Sequence, residues 1–127
     1  MKTIISTPNA PSAIGPYNQA TAFDKLIFTS GQIALNPQTM EIVEGGVQEQ
    51  TKQVMENLKA VLEEAGSSFE NVLKTTCYLS DMDNFVAFNE IYGQYFKGET
   101  APARSTVAVK TLPKNVLVEV DTIAFKN

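Results

Sequence analysis

Two residue types in this chain could do chemistry together: its only arginine, Arg104, and a glutamate in an apolar run, Glu119. The other nine basic residues are lysines. A guanidinium presents a rigid fork of donors that binds a carboxylate or phosphate through two parallel hydrogen bonds, which an ammonium cannot do. Arg104 is therefore interpreted as an anion clamp. A salt bridge or a solvated surface position is the alternative.

Glu119 interrupts the apolar run at 116–120. A carboxylate on a covered face of a sheet is costly unless it is paired or lies next to trapped water. Two interpretations stay open: Glu119 positions or deprotonates a water, or it forms an ion pair with Arg104 or with a lysine across an interface. Asp121 shares its face and is interpreted as structural.

Five further residues are candidates for a binding pocket, each with an ordinary alternative. Tyr17 could place a hydroxyl in a cleft, or it could simply pack. Ser30 and Gly31 could donate a hydroxyl and a backbone N–H to an anion or carbonyl, or they could merely end a strand. Thr106 lies two residues beyond Arg104 and therefore on the same face of the strand, where it could line the pocket or simply pack. Asn89 could reach across an interface, or it could be solvated.

Composition excludes several classes of site. The chain has no histidine, which removes Ser-His and Cys-His nucleophile pairs and most zinc and iron sites. With Cys77 as the single cysteine, no internal disulfide can form, so a cytoplasmic location is expected. No acidic metal cluster or phosphate-binding motif is present, and neither a metal nor a cofactor is expected. A net charge of −4 disfavours nucleic acid and anionic membranes as partners.

The pattern of apolar residues predicts one domain over 1–127, with the order β-β-β-α-β-α-β-β. Helices are predicted at 47–65 and 84–97. Strands are predicted near the N-terminus and at 17–23, 26–33, 72–79, 104–109 and 116–125. This indicates an α+β (mixed α/β) fold, in which a six-stranded mixed sheet carries both helices on one face. The last strand is apolar on both sides, so a partner subunit is expected to cover the second face, most simply in a cyclic oligomer.

Several short motifs spread over nearly the full length resemble the RidA/YjgF family. They are NAP at 9–11, IGPY at 14–17, TSGQI at 29–33, NLKA at 57–60, KTT at 74–76, PARS at 102–105, LPK at 112–114 and VEV at 118–120. Any one of these motifs is unspecific, whereas their combination is specific.

The resemblance implies a chorismate-mutase-like fold and a homotrimer with clefts between subunits. It implies hydrolysis of reactive 2-imino acids and their enamines, such as 2-aminoacrylate/2-iminopropanoate and 2-iminobutanoate, to 2-oxo acids and ammonia. These substrates are released by pyridoxal-phosphate-dependent serine/threonine dehydratases. By the same resemblance, Arg104 holds the substrate carboxylate, Glu119 is associated with water and Gly31 is a backbone anchor. Tyr17, Ser30, Thr106 and Asn89 line the pocket.

Two other functions remain open at this point. One is a non-enzymatic regulatory module that binds a small acid. The other, less favoured, is an endoribonuclease or translation inhibitor, because the chain is acidic and has one arginine and no histidine. The preferred imino acid is not indicated.

Overall fold

The computed structural model describes all residues, 1–127, and consists of one mixed sheet with two helices. The strands are β1 (Thr3–Ile5), β2 (Ala20–Phe23), β3 (Leu26–Thr29), β4 (Val72–Leu79), β5 (Ala103–Ala108) and β6 (Val118–Phe125), and the helices are α1 (Val47–Glu64) and α2 (Phe85–Tyr95). The six strands are ordered β1-β2-β3-β6-β4-β5. Only the β4–β5 pair is parallel. The predicted fold class is confirmed.

Helix α1 forms because apolar residues recur at helical spacing and bury one stripe against the sheet. At its start, the Glu49 carboxylate accepts a hydrogen bond from the Gly46 N–H at 2.8 Å, which satisfies one free donor of the first turn. At its end, Gly66 has a φ of +80°, the left-handed conformation that commonly ends helices. These bounds agree with the predicted 47–65.

Helix α2 carries a row of aromatic rings and ends earlier than predicted. Phe88 packs against Tyr92 with ring centroids 5.4 Å apart, and Tyr92 packs against Phe96 at 4.8 Å. The prediction of 84–97 was too long, because Phe96 leaves the helix with φ −116° and ψ 102°. Its ring then meets Phe69 edge-on at 5.0 Å.

Strand β6 lies between β3 and β4 and alternates cleanly between the two faces of the sheet. Val118, Val120, Thr122 and Ala124 are buried under the helices. The intervening residues, Glu119 among them, lie on the opposite face, called here the open face, which neither helix covers.

Strand β4 departs from the predicted alternation at one position. Strict alternation along the predicted strand 72–79 places Leu73 on the face of Thr75, Cys77 and Leu79, toward the core. A β-bulge between Val72 and Lys74 shifts the register, so that Val72 is buried and Leu73 is 49% exposed.

The open face carries several large apolar side chains that are exposed in the single chain. They are Ile4, Phe23, Leu26, Phe28, Val107 and Phe125. The predicted apolar second face is therefore present, while the homotrimer remains a prediction. Neither helix has both the length and the apolar character that crossing a membrane requires.

Candidate functional site

A pocket of about 420 Å³ opens where the chain leaves β3 and passes the start of β6. Its walls are Pro11, Ser12, Tyr17, Gln19, Ser30, Gly31, Gln32, Ile33, Leu35, Pro113 and Glu119. Four of the predicted site residues, namely Tyr17, Ser30, Gly31 and Glu119, thus lie together, and the cavity is called here the acidic pocket.

Gly31 and Glu119 are placed side by side by a short backbone pairing. The N–H of Gln32 donates to the Val120 carbonyl at 2.9 Å, and the Val120 N–H donates back at 3.2 Å. A Cβ on residue 31 would lie 2.8 Å from Cδ of Glu119 and would overlap its Oε2. The missing side chain therefore provides the space that the carboxylate occupies.

The Glu119 carboxylate is half-buried, and burial raises its pKa above the ordinary value, with the neighbouring Asp121 charge adding to the effect. Burial likewise raises the pKa of Asp121, although the Tyr78 hydroxyl, which donates to its Oδ2 at 3.3 Å, and the Lys74 charge oppose this. No cation lowers the pKa of Glu119. Desolvation makes this carboxylate a stronger proton acceptor than a free one.

Two buried amides hold the walls of the acidic pocket. Gln19 accepts from the Thr7 N–H at 2.6 Å and donates to the carbonyl oxygens of Thr7, Ala10 and Pro11 at 3.0, 3.2 and 2.8 Å. Asn57 of α1 donates to the carbonyls of residues 33 and 35. Sequence reasoning missed both, since nothing local to an amide side chain identifies which distant carbonyls it will bind.

Two hydroxyls of the pocket make bonds within the chain. Ser30 Oγ donates to the Asn18 carbonyl at 2.5 Å, so its proton is committed and its lone pairs remain to accept. Tyr17 Oη accepts a long bond of 3.4 Å from the Ile14 N–H, which leaves its proton free to be donated.

Arg104 lies elsewhere, on the edge strand β5, with its guanidinium over two aromatic rings of α2. Its Cζ is 4.7 Å from the Tyr92 ring centroid and 5.4 Å from that of Phe85. Its Nη1 donates to Asn89 Oδ1 at 2.7 Å. Asn89 thus accepts a hydrogen bond from the arginine of its own chain, and its part in the pocket stays a prediction. Sequence reasoning missed Tyr92 and Phe85, because their spacing on α2 is typical of core residues.

Thr106 faces the same way as the arginine, as predicted. Its Oγ1 is buried and has no hydrogen-bond partner, which is unusual for a buried hydroxyl. Its partner across the β4–β5 pair is Cys77, where burial raises the pKa of the thiol to about 11. Such a thiol is protonated at neutral pH and acts as a core side chain. Arg104, Asn89, Thr106, Tyr92 and Phe85 are called here the arginine cluster.

The acidic pocket and the arginine cluster do not meet within one chain. On the open face, Glu119 of β6 pairs with Tyr78 of β4, and Tyr78 pairs in turn with Val107 of β5. Arg104 is the partner of Thr75 on the helix face, two strands away, which is roughly 10 Å across the sheet. An Arg104–Glu119 ion pair within the chain is therefore absent. Each charged group is available to a ligand or to another chain.

Replacing Gly31 with alanine is expected to displace the Glu119 carboxylate. Gly31→Ala should lower the free energy of unfolding. In the double variant Gly31→Ala/Glu119→Ala, the free energy of unfolding should fall by less than the sum of the two single changes, with a coupling energy of about 1 kcal/mol or more. Urea unfolding at one fixed protein concentration measures this. Gly93→Ala is the matched control: its Cβ meets nothing within 4 Å, and it should stabilise α2 by about 0.5–1 kcal/mol. Additive losses at positions 31 and 119 would show that the two do not compete for space.

The raised pKa of Glu119 predicts a definite pH dependence of stability. A carboxyl whose pKa is higher folded than unfolded stabilises the fold below its unfolded pKa, and this contribution is lost as pH rises through the folded pKa. Glu119→Gln should therefore match the wild type near about pH 4 and exceed its unfolding free energy near about pH 7. Glu63→Gln, on the exposed side of α1, is the control for removing one negative charge. The prediction is contradicted if the unfolding free energy of Glu119→Gln, relative to that of the wild type, falls as the pH rises between these two values.

The chain is similar over its whole length to proteins of one family. A family model described as "Endoribonuclease L-PSP" matches residues 7–126. A Synechocystis protein described as a RutC family protein is 61% identical, with 95% of this chain and 94% of that protein covered. A mouse protein named 2-iminobutanoate/2-iminopropanoate deaminase is 47% identical, with 99% of this chain and 93% of that protein covered.

Solved structures agree. A Yersinia pestis protein, described as of unknown function and of the conserved Rid protein family, superposes with a TM-score of 0.95 at 48% identity, covering 98% of this chain and 99% of that one. Escherichia coli TdcF, crystallised with bound serine, gives 0.91 at 42% identity, covering 98% and 99%. This likeness in sequence and structure confirms the resemblance that the motifs indicated. The chain belongs to the RidA/YjgF family.

Proposed function

We propose that this protein hydrolyses reactive 2-imino acids, and the enamines in equilibrium with them, to 2-oxo acids and ammonia. The observation that carries the proposal is the pair of half-sites: a guanidinium with free donors in the arginine cluster, and a half-buried carboxylate at the acidic pocket. Hydrolysis of a small imino acid needs the guanidinium to bind the substrate carboxylate and the Glu119 carboxylate to position the attacking water. The deaminase names of the mouse and human relatives, at 47% and 44% identity, support the same reaction.

The complete site is proposed to form between protomers of a homotrimer. Arg104 and Glu119 lie on opposite faces of one sheet, so a single chain cannot offer both to one small molecule. The open face is rich in exposed apolar side chains, which a second copy would cover. In a cyclic assembly, the arginine cluster of one protomer then meets the acidic pocket of the next at every interface.

The reaction needs positioning and proton transfer more than a strong nucleophile, because a protonated imine carbon is already electrophilic. Arg104 binds the substrate carboxylate edge-on, and the Gly31 N–H, which takes no part in the sheet hydrogen bonds, assists. Glu119 accepts a proton from water as its oxygen bonds to the imine carbon, which gives a carbinolamine. Glu119 returns that proton to the nitrogen. As the C–N bond breaks and ammonia leaves, the Glu119 carboxylate takes the proton of the carbinolamine hydroxyl and the C=O forms. A positioned carboxylate base contributes about 10²-fold or more.

Removing the guanidinium should abolish most of the activity. Arg104→Ala is expected to lower kcat/KM for 2-iminopropanoate about 100-fold or more, and Arg104→Lys should recover only part, because an ammonium keeps the charge but loses the fork. The assay couples a serine/threonine dehydratase to this protein and follows 2-oxo acid and ammonia. Lys52→Ala on the solvent side of α1 is the charge-matched control. Full activity of Arg104→Ala would refute the assignment.

The same preparations distinguish the two remaining functions. A wild-type protein that binds 2-oxobutanoate without hydrolysing the imine is a binding module. Cleavage of RNA that is lost in Glu119→Gln would instead indicate a nuclease.

A mixing experiment tests where the site lies. Arg104→Ala and Glu119→Gln proteins, each inactive alone, should recover activity after they are unfolded together and refolded. With random mixing in a cyclic assembly, about one quarter of the clefts join an intact arginine to an intact glutamate, so about one quarter of wild-type activity is expected. Refolding each variant by itself is the control. No recovery from mixed oligomers would place both groups in one protomer and refute the shared cleft.

A further inference from the structure

We propose that Tyr92 is a positioning residue, which, through its hydrogen bond to Thr75, fixes the guanidinium of Arg104 in a binding-ready orientation before any ligand arrives. The effect on catalysis rests on the proposed function, whereas the fixed orientation does not. Tyr92 lies outside the motifs that carry the family resemblance, and Thr75, although part of KTT at 74–76, was not among the predicted site residues.

Tyr92 is held at both ends. Its hydroxyl and Thr75 Oγ1 are 2.8 Å apart, and Thr75 is fully buried on β4. Its ring is held between Phe88, at 5.4 Å, and Phe96, at 4.8 Å. A side chain with only two rotatable bonds, bonded at its tip and packed on its ring, has one position.

This rigid ring supports a side chain that would otherwise be mobile. Arg104 is exposed on an edge strand, and a free arginine loses much rotamer entropy when it binds. The register of β4 and β5 makes Arg104 the direct partner of Thr75, so the residue that fixes the Tyr92 hydroxyl also sets where the arginine leaves the sheet. Because Thr75 both bonds the Tyr92 hydroxyl and pairs with Arg104, the ring lies next to the guanidinium, with Cζ of Arg104 4.7 Å from its centroid.

The contacts also define which side of the guanidinium a ligand can reach. The Tyr92 ring lies on one side of the guanidinium, with Cζ over the ring, and Asn89 Oδ1 accepts one Nη1 proton at 2.7 Å. The remaining donors lie in the guanidinium plane, so a carboxylate must approach in that plane to make two bonds. The donors that Asn89 leaves free suit a planar, two-pronged anion such as a carboxylate.

The single arginine permits a direct test. A ¹H–¹⁵N spectrum of the intact protein contains one arginine Nε–H resonance. In the ligand-free wild type it should be displaced by the Tyr92 ring current and give a heteronuclear NOE close to that of the β5 backbone. Tyr92→Leu should return it to the position and low NOE of a mobile arginine. Tyr95→Leu is the matched control, since Tyr95 lies on the same helix but donates to Glu56 and does not touch the guanidinium.

Two outcomes would overturn the fixed orientation. One is a ligand-free wild-type resonance that is already mobile, and the other is a Tyr92→Leu resonance that stays displaced and rigid. Tyr92→Phe, which keeps the ring and leaves no core cavity, tests the Thr75 bond even if the leucine variant does not fold. It should keep the ring-current displacement and lower the NOE, and an unchanged NOE would exclude a role for Thr75.

Binding separates this proposal from the proposed reaction. Calorimetric titration with 2-oxobutanoate should show about tenfold weaker binding to Tyr92→Leu, or a smaller loss with Tyr92→Phe, and no further loss when Arg104→Ala is already present. If the wild type hydrolyses no imine, the proposed reaction fails while the spectrum still decides the orientation. If it does hydrolyse imines and Tyr92 variants keep both KM and 2-oxobutanoate affinity, the positioning role fails alone.

Discussion

The strict alternation of β6 between its two neighbours is the constraint on which the rest of the structure depends. Val118 and Val120 complete the core under the helices, so Glu119 between them must point to the open face. A slip of one residue would bury the carboxylate and expose two valines, an error that pairing with both β3 and β4 excludes. The Gln32–Val120 pairing then brings Gly31 against that carboxylate. One strand therefore fixes both the core and the acidic pocket.

The same rule applied to β5 explains why the arginine lies on the other side of the sheet. Arg104 shares the helix face with Thr75, and only there can the aromatic residues of α2 support it. The half-sites are thus separated by the sheet itself, and no side-chain rearrangement within one chain unites them. In the proposed homotrimer, a second copy would cover the apolar face beside this edge strand, so that assembly and site formation would be one event.

Local sequence patterns predicted most of the helices and strands. The features that were not predicted depend on contacts between residues far apart in the chain. The periodicity of α1 and of β4 predicted their bounds. A turn forms at 24–25, between the strands predicted at 17–23 and 26–33, where Asp24 takes a φ of +56° although it is not a glycine. The pattern placed Leu73 on the wrong face, since a bulge depends on the partner strand. The residues of the site were found by type. The residues that support them were not found. In the sequence, Tyr92 and Gln19 have the pattern of ordinary core and strand residues, and their contacts form only when the elements pack together.

Electrostatics, in addition to shape, favours an arginine next to the open face. Glu119 and Asp121 share that face, and burial already raises the pKa of both. Covering the face with another subunit removes more water, which penalises two like charges further unless a cation arrives with it. In the proposed homotrimer, Arg104 of the neighbouring protomer would be such a cation, and a bound substrate carboxylate would neutralise it in turn. The pKa of Glu119 would then rise when substrate enters, so the carboxylate becomes the better base at the moment a water must be deprotonated.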